Sequence, residues 1–352
     1  MSNINLKYYL GDIRKAFLGY STDENIRINA ASGGVVSGIL LSLLKNNEIT
    51  GALISRQKMV NGKIDAETFI ATTPKEILSS QSSIYFYVPI LDQIDKIRNF
   101  AGRLAVVGLP CQIKILRKLM EKDKELRKKL FLIGLFCGHA SKKELIIKVL
   151  EQKNIQQKNI QKIIFRRGNW RGEMNIFLKN KKHLAFSFGD FSTYQNLFFY
   201  CEKRCLFCID QTSQFADISC GDVWLSKYKN NQIKNSLIIA RNNKTQNILN
   251  KMEKSNEIYL RNIASEDIYK IQKRSLIFHC HIKARSRIGK LFGYNISYDK
   301  NEQARWNDYI SAFIILLNIK LSENKISEKI IFFIPKKIWY LYLILFKLLT
   351  SF

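Results

Sequence analysis

Proline is scarce in this sequence, with four among 352 residues. No Pro- or Ser-rich stretch marks a flexible linker, so no hinge between domains is legible. Acidic residues are also few: 29 against 57 Lys and Arg, for a formal net charge of +28. A balance that basic suits an anionic partner such as nucleic acid, a membrane surface or a phosphorylated ligand. The lysines, however, are scattered among abundant Asn and Ile, a mixture typical of an AT-rich genome, and no nucleic-acid motif accompanies them. Most of the charge therefore reads as solvated surface, and no specific nucleic-acid partner is expected. Met1 to Lys15 carries no apolar core of a signal peptide, so a cytoplasmic location is expected. Disulfides are then not expected to persist. No apolar run reaches the roughly 20 residues of a spanning helix. There is no fixed-period repeat, no Walker loop and no Gly-x-Gly-x-x-Gly fingerprint.

What is present is a chain that is 46% hydrophobic, enough for a sizeable core. Val35, Val36, Ile39, Leu40, Leu43 and Leu44 recur at helical spacing and predict a helix over Ser32 to Asn46, capped by Ser32. Short, partly β-branched apolar runs predict buried strands at 52–55, 68–72, 104–108 and 131–136, with helices at 90–100 and 112–122 between them. Strands at 163–166, 174–178, 184–188 and 236–241 and a helix at 244–254 follow. This alternation predicts an α/β or α+β class: a mixed sheet flanked by helices, with a cysteine-rich insertion and a helical C-terminal tail. Three parts are expected: a lead segment over 1–29, a main domain over 30–282, and a basic, apolar tail over 283–352. In the tail, Pro335 splits two apolar blocks, Ile330 to Ile334 and Ile338 to Leu349. They suit either peripheral membrane contact or packing against the core or a second subunit.

Seven cysteines are present, and three fall in Cys201-Glu-Lys-Arg-Cys205-Leu-Phe-Cys208. Thiolates at that spacing can converge on one centre, as an iron–sulfur cluster or a zinc site requires. Either needs a fourth ligand. Cys137 and Cys111, each just after a predicted strand, and Cys220 are the candidates, whereas Cys280 reads as a buried apolar residue. The triplet His279-Cys280-His281 reads as incidental, since adjacent side chains point apart. Ser32, Gly33 and Gly34 open a helix, where free N–H groups suit a phosphate; the alternative is an ordinary cap with glycines for close packing. Asp217 and Asp222 could contact the hydroxyls of a flavin, or could simply bound a strand and its turn. Arg166, Arg167, Arg171 and Lys203 are basic spots that could neutralise a phosphate or a cluster, or lie on a solvated face.

Taken in order, five segments resemble those of the beta-subunit family of coenzyme F420 (deazaflavin) hydrogenases and dehydrogenases. They are Ala31-Ser-Gly-Gly-Val-Val-Ser-Gly-Ile-Leu40, Gly108-Leu-Pro-Cys-Gln112, Leu135-Phe-Cys-Gly-His139, the Cys201 to Cys208 triplet, and Ala216-Asp-Ile-Ser-Cys-Gly-Asp-Val-Trp224. Ser236 to Arg241 fits the family's later strand, and the resemblance runs from about Ala30 to about Ile282. It implies an iron–sulfur flavoprotein oxidoreductase holding a 4Fe–4S cluster and a flavin, FAD or another of that kind. Such a protein passes electrons between a redox partner, such as a ferredoxin, and a small organic substrate. By the resemblance, Ser32, Gly33 and Gly34 contact the flavin, and Pro110, Cys111 and Gln112 sit near flavin or cluster; Asp222, from the reading of its own segment, is also expected at the cofactor site. Cys201, Cys205 and Cys208 become cluster ligands, with Cys137 as the fourth. Relatives in bacterial surface-polysaccharide gene clusters extend the expectation to polysaccharide biosynthesis. Leu109 stands where the family usually has Thr, and Cys137-Gly138-His139 where it has Cys-His-Gly. No cysteine precedes Cys111, so a ferredoxin-like module is not expected and electrons would come from a separate protein. The alternative function is a non-catalytic accessory protein of polysaccharide assembly, stapled by zinc or a structural cluster.

Overall fold

A computed structural model describes residues 5–168, 172–224, 233–298, 302 and 304–351. Eleven strands form among these residues: β1 (Lys15–Ser21), β2 (Gly51–Val60), β3 (Lys63–Ala71), β4 (Leu104–Gly108), β5 (Leu130–Leu135), β6 (Ile160–Arg167), β7 (Glu173–Leu178), β8 (His183–Ser187), β9 (Ile218–Asp222), β10 (Ser236–Ala240) and β11 (Ile258–Asn262). Eight make one mixed sheet in the order β11-β1-β10-β9-β5-β4-β2-β3, and β6-β7-β8 make a second. Within the large sheet β2, β4, β5 and β9 run parallel. Antiparallel strands close it on both sides.

Both faces of the large sheet are covered, and so its strands are apolar on both sides. Alternate residues enter different cores. In β5, Phe131 and Ile133 join helix Val35–Lys45, while Leu130 and Leu132 pack with Ile113, Leu116 and Met120 of helix Pro110–Lys122. In β10, Ile238 faces the first of these cores and Leu237 and Ile239 face helix Ser265–Cys280. The continuous apolar runs 104–108 and 131–136 were thus the sequence signature of doubly covered parallel strands.

The α/β architecture stands as expected, with three differences in detail. The strands expected at 52–55 and 68–72 are longer, and they pair as a hairpin out to Val60 and Lys63. Asn61 and Gly62 both have positive φ, 49° and 72°, the two-residue turn that matches strand twist. The outer half of this hairpin is only partly buried, so an apolar run could not reveal it. Second, the lead segment does not stand apart. β1 is hydrogen-bonded between β10 and β11 and buries Phe17 and Leu18. Third, the tail is continuous with the body. Helices Trp306–Glu323, Lys325–Phe333 and Lys336–Ser351 share one core with Cys201, Cys205 and Leu206. The Ser322 Oγ accepts from the Tyr200 N–H at 2.9 Å, and Asn318 donates to the Leu197 carbonyl at 2.8 Å.

Because β1 lies inside the sheet, deleting residues 1–29 should abolish cooperative thermal unfolding followed by circular dichroism. A deletion product that still melts cooperatively would show that β1 is dispensable.

Candidate functional site

The carboxyl ends of parallel strands in an open sheet gather loops at one edge, and the critical residues of this chain collect there. β4 ends at Gly108 and leads into Pro110 and Cys111; β5 ends at Leu135 and leads into Cys137. β9 ends at Asp222, opposite Ser236 of β10, which lies opposite Gly19 near the end of β1. The helix start at Gly33 therefore joins the same edge: Ser21 N–H donates to the Gly33 carbonyl at 2.8 Å.

The cysteine loop is sewn onto the segment after Cys137. Glu202 N–H donates to the Ala140 carbonyl at 2.9 Å, and Lys142 N–H to the Tyr200 carbonyl at 2.7 Å. Ser141 bridges Phe86 on one side and Cys201 on the other. Lys203–Phe207 then form a 3₁₀ turn, which brings Cys205 back so that the Ala140 N–H points at its sulfur at 3.3 Å. As a result Cys111, Cys137, Cys201, Cys205 and Cys208 gather in one region, each close enough to feel the charge of at least two of the others. Burial pushes the Cys137, Cys201 and Cys111 thiols up, and Cys208 up to about 12. Cys205 goes the other way, because the Cys201 thiol donates to it more strongly than burial opposes. Cys220 is outside this group: it faces the core beside Ile133 and Ile238, and burial alone pushes it up to about 12. Cys280 is buried, with its thiol directed at the Tyr8 carbonyl at 3.9 Å. Among the described residues no three His, Cys, Asp or Glu side chains stand closely enough around one point to hold a single metal ion. The five thiols share a region rather than a one-ion shell.

Arg285 decides what that region suits. Its side chain sits on the same region and is 2% exposed. Nε donates to the Leu206 carbonyl at 2.8 Å, a second nitrogen donates to the Phe278 carbonyl, and the guanidinium lies over the Phe278 ring at 4.2 Å. The remaining nitrogen, Nη2, is buried without an acceptor. Burial pulls the Arg285 pKa down to about 10, and the Cys208, Cys201 and Cys205 thiolates would oppose that pull. A buried cationic donor with no partner costs several kcal/mol unless an anion faces it. Thiolate-bound iron–sulfur clusters are such anions, so the donor set fits one. His279 ties the region together, its ring nitrogens 3.0 Å from the Cys208 carbonyl and 2.8 Å from that of Gly138. Sequence spacing offered no signal for Arg285 or His279.

Ser32 and Gly33 are occupied in holding the edge together. Ser32 Oγ donates to the Asn235 carbonyl at 2.9 Å and Gly33 N–H to Ser236 Oγ at 3.0 Å. A Cβ on Gly33 would stand 2.7 Å from the Gly19 carbonyl oxygen, so this close approach requires glycine. The helix is capped by Gly34, at φ 77°, and not by Ser32 as expected. Its first-turn N–H groups still lack intrahelical acceptors. Beside it stand two cations. Arg166, 3% exposed, pairs with Asp222 at 2.5 Å, bonds the Tyr85 hydroxyl at 3.1 Å and lies over the Trp224 ring at 4.7 Å. Lys234 donates to the Ala30 carbonyl at 2.6 Å, and burial, then Arg166, pulls its pKa to about 8. Among the described residues these two cations face the Asp222 carboxylate, a balance that suits an anion. Lys234 and Tyr85 escaped the sequence reading because nothing local distinguishes them.

The other expected residues divide clearly. Pro110 opens its helix, and Gln112, 2% exposed, braces it. Its Oε1 accepts from the Leu109 N–H at 2.9 Å and its Nε2 donates to the Val88 carbonyl at 2.6 Å. Asp217 lies at the opposite edge, about 16 Å of strand from Asp222. It accepts from the Leu132 N–H at 2.8 Å and pairs with Arg117 at 2.9 Å, so it bounds the strand away from the thiols and the helix start. Lys203 pairs with Glu323 of the tail at 3.3 Å. Arg167 is the partly buried last residue of β6, and Arg171 lies outside the described residues.

Residues 16–95 match the family model for the N-terminal part of coenzyme F420 hydrogenase/dehydrogenase beta subunits, and residues 101–266 match that for the C terminus. The chain is 25% identical over 263 residues to the coenzyme F420 hydrogenase subunit beta of Methanococcus voltae, covering 72% of this chain and 86% of that one. It is 29% identical over 216 residues to a subunit of the F(420)H(2) dehydrogenase of Methanosarcina mazei, covering 60% of this chain and 57% of that one. A coenzyme F420-dependent sulfite reductase of Methanocaldococcus jannaschii is 27% identical over 71% of this chain, which spans 38% of the relative's length. In structure the chain resembles one chain of the F420-reducing [NiFe] hydrogenase complex of Methanosarcina barkeri, with a TM-score of 0.62 and 19% identity over 83% of this chain and 98% of that one.

Gln112 braces two segments from a dry position, and Gln112→Leu should lower stability by about 1–3 kcal/mol in urea titration. A midpoint unchanged from the parent would show that the Val88 and Leu109 contacts are replaceable.

Proposed function

We propose, for a chain that belongs to the coenzyme F420 hydrogenase/dehydrogenase beta-subunit family, that it is an oxidoreductase subunit moving electrons between a protein partner and a deazaflavin or flavin. The observation that carries this reading is the gathering of five thiols in one region, three of them near a buried guanidinium that has one nitrogen without an acceptor, on the same sheet edge as a helix start flanked by two cations. Cys137, Cys201, Cys205 and Cys208 would hold a 4Fe–4S cluster, with Cys111 beside it at a helix start. Arg166, Lys234 and the first-turn N–H groups after Gly34 would take the anionic part of the organic cofactor. When bound, the cluster supplies single electrons and the deazaflavin or flavin ring a hydride.

The chain's own residues do the rest. Arg285 sets positive charge near the Cys201, Cys205 and Cys208 thiols from a dry position, which would favour a more reduced centre. The Ala140 N–H, aimed at the Cys205 sulfur, acts in the same sense. Arg166 holds Asp222 and the Tyr85 hydroxyl in fixed geometry, so the pocket wall is ordered before anything binds. Ser32 and Gly33 support that wall through Ser236 and Asn235 and do not themselves grip a ligand. The names of the relatives favour a deazaflavin over FAD and carry no sign of the polysaccharide setting. A ferredoxin-like protein remains our choice of electron partner. The partial exposure of Cys111, Cys137 and Cys208 supports docking of such a protein over the thiol region.

Protein purified without oxygen should contain about four iron and four sulfide per chain and bind reduced deazaflavin in fluorescence titration. Cys201→Ser and Cys205→Ser should lose most of the iron, whereas Cys220→Ser should keep it. Equimolar zinc without iron would instead establish a metal-stapled accessory protein. In a redox titration Arg285→Met should lower the midpoint potential and Arg285→Lys should largely restore it; equal potentials in all three proteins would remove Arg285 from this role.

A further inference from the structure

The last two helices expose an apolar face that the redox reading does not use. In helix Lys336–Ser351 one side is packed inward: Leu343 and Phe346 are buried, and Trp339 Nε1 donates to the Ile331 carbonyl at 2.7 Å. The opposite side carries Ile338, Leu341, Leu345 and Leu348, spaced three, four and three residues apart and 53–60% exposed. That spacing places them on one stripe. Helix Lys325–Phe333 repeats the arrangement with Ile326, Ile330 and Phe333, of which Phe333 is 88% exposed. A patch of this kind on a folded chain marks a contact surface.

Charge identifies the contact. Glu328 is the last acidic residue of the sequence, and four lysines follow it: Lys329, Lys336, Lys337 and Lys347. Glu328 is itself engaged inward by the Tyr200 hydroxyl at 2.6 Å and by Lys148 at 3.2 Å. Lys325, Lys329 and Lys337 are exposed. Protein interface cores are depleted in lysine, and their basic rims meet acids. Lys336 pairs with Asp190. Neither helix carries an exposed acid, and aliphatic side chains beside exposed lysines and aromatics suit the headgroup region of an anionic bilayer. No helix among the described residues is long and apolar enough to cross a membrane, so the contact would lie in the plane of the surface. Both helices fall outside the residues matched by the family models, which end at 266.

We infer that the outward face of helices Lys325–Phe333 and Lys336–Ser351 docks this protein on an anionic membrane surface. The formal net charge of +28 would steer the encounter, and the apolar stripe would hold it. The inference does not depend on the cofactors.

The test is sedimentation of the full-length protein with vesicles of phosphatidylcholine alone and of phosphatidylcholine with phosphatidylglycerol. Binding should favour the anionic vesicles and weaken as salt rises. Leu341→Glu/Leu345→Glu should bind at least about tenfold more weakly while melting at the parent temperature, since both side chains are exposed. No binding, equal binding to both vesicles, or equal binding by the variant would each overturn the inference. So would a parent dimer, seen by light scattering, that the double variant dissolves, because the face would then belong to a second copy of the chain.

Discussion

Thiols crowded into a dry region stay protonated unless positive charge faces them. In this protein that constraint links parts of the chain far apart in sequence. Cys111 and Cys137 arrive from two sheet strands, and Cys201, Cys205 and Cys208 from a loop more than sixty residues later. Arg285 comes from the helix that begins the tail. The Arg285 nitrogen without an acceptor and the thiols raised by burial are two sides of one imbalance, and an anionic metal centre bound through thiolates would remove both.

The rest of the fold holds this arrangement still. Parallel strands deliver Cys111 and Cys137 to one edge, and short backbone bonds from Glu202 and Lys142 fasten the cysteine loop to the segment just beyond. The tail helices close over the loop from outside, so Tyr200 and Leu197 are bonded to side chains more than a hundred residues away. At the same sheet edge, Gly33 and Ser32 are used up in joining β1 and β10. The cationic character beside the helix start therefore rests on Arg166 and Lys234.

Much of the fold could be read from sequence because doubly covered parallel strands leave unbroken apolar runs, as at Leu104 to Gly108. The half-exposed arm of the β2–β3 hairpin leaves no such run, and β1 was concealed by the mixed residues around it. The cysteine triplet was legible because three thiols so close in sequence are rarely packing residues. Gln112 looked like a cofactor residue, but its amide reaches Val88 and Leu109, a use that depends on which loop lies beside it.

The sequence by itself determined the α/β class, the family resemblance and the concentration of thiols, since these depend on local periodicity and on spacing along the chain. Only the tertiary structure decided that Cys220 faces the core, that Asp217 and Asp222 stand at opposite edges, and that Arg285 and Lys234 belong with the thiols and the helix start. The reason is physical. Burial and electrostatic pairing act through space, and residues such as Cys208 and Arg285 become neighbours only when the sheet and the tail have packed around them.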